Sequence, residues 1–104
     1  MAKAKLEVGS LDQIRSAQDV GQETVDVPEW GVAVTVRGLT RGEARLLGDD
    51  AAEAEVRALQ LALVEPAVSE DEAREILASK GFAATERVLR RILDLSGLGE
   101  SFRS

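Results

Sequence analysis

Carboxylates are the side chains of this sequence best placed to do chemistry. Asp49, Asp50 and Glu53 form one grouping, and Glu70, Asp71 and Glu72 form a second. Converging carboxylates in a concave pocket can hold a divalent cation or divide general acid and general base work. Neither grouping has the spacing of a calcium loop. Both stand where helices are expected to begin, and negative side chains there offset the positive end of the helix dipole. That placement accounts for them without a ligand.

Other chemistry is thinly supplied. The chain has no His and no Cys, which removes imidazole proton transfer, thiol nucleophiles, disulfides and the common zinc ligand sets. Serines are present without a base to activate them. The glycines are scattered, and Gly97-x-Gly99 follows a helix instead of opening one, so no phosphate loop is formed. A non-enzymatic protein is expected, with no cofactor, metal or small-molecule substrate. Nineteen acidic residues against thirteen basic ones give a net charge of −6, which repels a phosphate backbone and argues against nucleic acid. The Met1 end has no apolar run of signal-peptide length, and no later run could span a bilayer. A cytosolic protein with no membrane partner is expected.

Two surfaces are candidates for protein binding. Arg87, Arg90 and Arg91 give a positive strip that would suit an acidic partner or a second subunit; equally, they would suit a solvated face with local ion pairs. Trp30, the single tryptophan, is either an anchor for a partner or a lid over the edge of a valine core.

The elements that must position these residues are legible from periodicity. Glu23 to Glu43 carries nearly all the strand signal: Val25 and Val27, a turn-like Pro28-Glu29-Trp30-Gly31, then Val32, Val34 and Val36 in alternation, ended by Gly38. This predicts one β-hairpin over about 23–38, with Val32, Val34 and Val36 on one face. Two strands are marginal in water, so the valines must lie against helices or against strands of another copy. Ser10/Gln13, Thr40/Glu43 and Ser69/Glu72 have capping-box spacing, in which each side chain satisfies a free backbone N–H of the other residue. Helices are therefore expected over 10–19, 40–47, 51–64, 70–79 and 84–95. Gly48-Asp49-Asp50 provides a fresh N-cap, Pro66 stops the third helix, Gly81 takes the left-handed position after the fourth with Phe82 packing back, and Ser96-Gly97-Leu98-Gly99 ends the fifth.

The fold class is thus α+β, mainly helical with four or five helices and one N-terminal hairpin, in a single domain over 10–99. Residues 1–9 and 100–104 are read as flexible tails. With only 3% aromatic residues, the core is expected from Val34, Val36, Leu39, Leu46, Val56, Leu59, Leu63, Ile76, Leu77, Val88, Leu89, Ile92 and Leu95.

Four blocks carry a resemblance. Leu11-Asp12-Gln13-Ile14, Val25-x-Val27-Pro28-Glu29-Trp30-Gly31, Val34-x-Val36-Arg37-Gly38-Leu39-Thr40-x-x-Glu43 and Leu95-Ser96-Gly97-Leu98-Gly99-Glu100 together resemble the tail assembly chaperones of long-tailed bacteriophages. The resemblance implies a non-enzymatic chaperone that coats the long helical tape measure protein, keeps it soluble and recruits tail tube protein around it. It implies action in the cytoplasm of the bacterial host and absence from the mature virion. Members often have a longer form made by ribosomal frameshift, and this chain corresponds to the short form. A hairpin edge would suit pairing between copies, so self-association is expected. A structural minor tail or tube-end protein, retained in the particle, is the alternative reading.

Overall fold

Alternating valines build a sheet that is buried on one face. In the computed structural model, which describes residues 6–98, strands β1 (Gln22–Val27) and β2 (Val32–Arg37) pair antiparallel, with Val25 opposite Val34 and Val27 opposite Val32. A single 3-10 turn at Pro28–Trp30 connects them, and Gly31 closes it at φ 70°, a left-handed conformation that glycine adopts without a Cβ penalty. Val25, Val27, Val34 and Val36 are buried; on the opposite face the Thr24 and Thr35 hydroxyls lie 3.4 Å apart.

Five helices occur among the described residues: α1 (Leu11–Ser16), α2 (Arg41–Arg45), α3 (Ala51–Ala62), α4 (Glu70–Ser79) and α5 (Phe82–Leu95). The α+β class and the mainly helical content expected from the sequence are observed. All three capping boxes form, and Asp50 caps α3 by accepting from the N–H groups of Ala52 and Glu53. At the far end of α5, Leu98 N–H donates to Leu93 O and Gly97 N–H to Asp94 O, with Gly97 at φ 77°, the Schellman arrangement.

The core lies between the valine face and α3 and α5. Ile92, Val88, Val36 and Val27 are its most enclosed large side chains. Helix α5 covers both hairpin strands, and α3 packs against α4 and α5. The valines are therefore buried by this chain's own helices.

Several expectations are corrected. The third helix stops at Ala62, and Leu63–Glu65 forms a further strand, β3, paired antiparallel with β2 to give the order β1-β2-β3. An apolar run suits helix and buried strand equally; Pro66 pushes the residue before it out of helical geometry, and the open edge of β2 accepts the released backbone. Leu46 is 59% exposed and its neighbour Leu47 is buried, because α2 ends at Arg45 and the turn into Gly48 rotates Leu47 inward. Gly81 has φ −63° and is the N-cap of α5; the connection from α4 is too short for a left-handed cap, so α5 starts at Phe82, which is 80% exposed instead of packed. The tail expected over 100–104 lies outside the described residues, as do residues 1–5 and 99.

The hairpin base meets the end of α5 closely. Leu39 N–H donates to Ser96 Oγ at 2.7 Å, and a Cβ built on Gly38 would sit 2.5 Å from the Leu95 carbonyl oxygen. Since that neighbour is backbone, Gly38→Ala is expected to destabilise the domain by about 1–3 kcal/mol through overpacking. Gly42→Ala on α2, whose Cβ would meet only Thr40 Oγ1 at an ordinary 3.9 Å, should instead stabilise by about 0.5–1 kcal/mol. Urea unfolding of the two variants beside the parent checks the contrast; equal effects would show that the crossing is not tight.

Candidate functional site

Glu23 lies opposite Val36 and so points to the same face as the buried valines, toward α5. There its carboxylate accepts from Arg91 Nε at 2.6 Å. Further along the hairpin, Glu29 in the tip turn takes two bonds from Arg87, at 2.7 and 2.8 Å. Arg87 and Arg91 are one helical turn apart, so α5 is bracketed to both ends of the hairpin. Arg90 pairs along its own helix with Glu86 at 2.8 Å. The three arginines singled out in the sequence thus each have an intramolecular carboxylate partner.

The Arg87 guanidinium holds the Glu29 carboxyl at about 2, well below its usual 4.5, chiefly by direct hydrogen bonding and secondarily through the backbone N–H of Glu29. Glu43 is likewise held at about 2, first by Arg37, which meets it with two bonds at 2.7 and 2.8 Å. The acidic groupings have local partners too: Glu53 and Glu70 both accept from Arg74, and Asp50 and Glu72 are caps. Among the described residues no group of three or more acidic side chains is arranged to hold a metal.

What remains open to a partner is apolar. A cleft of about 660 Å³ lies at the hairpin tip, with Trp30, Val32 and Val34 on one side and Leu63, Pro66, Ile76, Ala83 and Ala84 on the other. Glu29 and Lys80 also line it. Trp30 is half-buried, packed on the core and facing this cleft, so it is at once a lid and an accessible aromatic. Val32, expected on the buried face with Val34 and Val36, is 57% exposed because the tip overhangs the cleft, while Val34 forms the cleft floor and is itself buried.

A second, smaller groove of about 200 Å³ runs between α3 and α5. Ala51, Ala54 and Ala58 line it from α3; Glu86, Leu89, Arg90 and Leu93 line it from α5. Both sets recur at helical spacing, and alanines allow a third helix backbone to approach closely. The exposed Leu46 adjoins Leu47 at its α2 end. This groove was not singled out in the sequence; the recurrence of Ala at 51, 54 and 58 opposite the α5 stripe was its only signal.

Comparison with protein-family models, with curated proteins and with solved structures finds no match for this chain. Among the described residues, no helix is long and apolar enough to cross a membrane.

The ion pairs fix a pH dependence. A carboxyl whose folded value is depressed contributes stability that is fully present above its unfolded value and is lost as pH falls through the folded one. Glu29 and Glu43 should therefore leave thermal stability flat above about pH 4.5 and withdraw it between there and about pH 2. Carboxyl NMR titration should find Glu29 titrating near the lower limit, and Arg87→Gln should return it toward 4.5. A parent Glu29 that titrates normally would remove the bracket. For Glu43, Gln keeps an oxygen for the Thr40 N–H but removes the charge and replaces the oxygen that accepts from Arg37 Nη2 by a donor, so Glu43→Gln should lose about 1–2 kcal/mol at pH 7, after allowance for solvent screening, and little below about pH 2.

Proposed function

We propose that this chain is a non-enzymatic tail assembly chaperone of a long-tailed bacteriophage, which binds and solubilises the tape measure protein and helps recruit tail tube subunits. The observation that carries the reading is the alanine-floored groove between α3 and α5, a site shaped for an amphipathic client helix. Its apolar floor meets the client's apolar face, and the Glu86–Arg90 pair at its margin supplies polar contacts for the client's flanks. The net charge of −6 then keeps the coated client apart from other coated clients. The four sequence blocks that resemble the family support the same assignment. On this reading the chain works in the host cytoplasm and leaves before the particle is finished.

Co-expression with a tape measure protein, a long helical client, is the direct test. The parent chain should carry that client into the soluble fraction and co-purify with it. Ala54→Arg, a half-buried groove position where arginine keeps helix propensity, should leave the melting temperature nearly unchanged and lose most of the soluble client. Failure of the parent chain to bind or solubilise the client would overturn the proposal, and recovery of the chain in purified particles would favour a retained structural protein instead.

A further inference from the structure

The N-terminal segment carries apolar side chains that the domain does not use. Leu11 and Ile14, three residues apart on α1, are 60% and 68% exposed, and Leu6 and Val8 just before them are more exposed still. No residue of α1 is buried. The chain is tied to the body at Gly21, whose carbonyl accepts from Gly38 N–H at the hairpin base, with Ala17 to Val20 lying beside Arg37. The molecule is accordingly elongated, 49 by 30 by 29 Å, with a radius of gyration of 15.9 Å against about 13 Å for a compact chain of this size.

The Trp30 cleft lies at the other end of the hairpin. The arm is anchored at the opposite end, by Gly21 at the hairpin base, and none of the side chains of α1 is buried against the body of its own chain. We infer that the cleft beneath Trp30 receives the N-terminal arm of a second copy of this chain, with Leu11 and Ile14 seated against Trp30, Val32 and Ile76, so that copies associate head to tail.

Size and charge agree. A cleft of about 660 Å³ is in the range that accommodates several side chains. Its lining includes one anion, Glu29, and one cation, Lys80, the latter with no ion pair among the described residues. Helix α1 brings Asp12 and Arg15 beside its two apolar residues, and these are joined to each other only by an exposed contact of 3.4 Å. Asp12 complements Lys80, whereas Glu29 is already held by Arg87. A head-to-tail contact uses two different patches, so each copy keeps one free arm or one free cleft until the chain of copies closes or ends.

The inference concerns the chain alone and is decided without a client, so it stands or fails separately from the chaperone reading. Sedimentation over a wide concentration range, with emission of the single Trp30 followed in parallel, is the test. The parent chain should grow beyond a monomer as concentration rises, with the Trp30 emission moving to shorter wavelength. Leu11→Asp/Ile14→Asp, which alters only side chains outside the core, should weaken association at least about tenfold and abolish the emission change. Val32→Asp should do the same from the cleft side, and Lys80→Glu, which leaves the apolar lining intact, should weaken association by a smaller factor. An equimolar mixture of the arm variant with Val32→Asp should form a one-to-one dimer and nothing larger, since only one arm and one cleft remain between the two. A parent chain that stays monomeric, an emission change independent of concentration, association that survives the arm substitutions, or a mixture that does not pair would each overturn the inference.

Discussion

A two-stranded hairpin cannot keep a face of four valines in water, and the rest of this molecule is arranged to cover Val25, Val27, Val34 and Val36. Helix α5 lies over both strands and inserts Val88 and Ile92. Helix α3 packs alongside, contributing Val56 and Leu59, and then hands the chain to β3, which closes the second edge of β2. Only the first strand's outer edge and that of β3 remain unpaired within the sheet. The crossing of Gly38 over the end of α5 follows from the same demand, because a hairpin base held this close to Leu95 admits no side chain.

Electrostatics refines this packing without driving it. Arg87 and Arg91 meet Glu29 and Glu23 from the outer flank of α5, fixing how far the helix can slide along the hairpin. Exposed pairs of this kind contribute modestly to stability, yet two of them a helical turn apart define a register that valine contacts alone leave loose. They also neutralise the cations that a positive strip would otherwise present, leaving apolar surface as the main resource for recognition.

How much of this was legible in the sequence depends on the range of the interaction. Capping boxes, the Asp50 cap and the Gly97 terminator act within a few residues of one another, so their spacing sufficed. The α+β class and the valine face followed from period alone. What could not be read depended on tertiary placement: Leu63 to Glu65 joined a strand because β2 offered an edge, Val32 was exposed because the tip overhangs a cleft, and Leu47 replaced Leu46 in the core because a turn rotated. At the candidate sites, Trp30 was visible as an unusual residue, whereas Pro66, Ile76 and Ala83 came to the cleft from elements distant in the chain. The arginines were visible as a strip, but their carboxylate partners, 58 and 68 residues away, were not.

The arm has a further physical consequence. A helix of six residues is well below the length that holds together in water, even with a capping box satisfying two of its N–H groups. With no buried side chain, α1 gains nothing from the body of the domain, so its order must come largely from whatever it docks against. Docking that also orders the docked segment spends part of the contact energy on conformational entropy. On the proposed docking, contacts made by Leu11 and Ile14 are expected to be weak and quickly released. Weak, reversible association fits the proposed role, in which a coat assembles on a long client and later comes away from it.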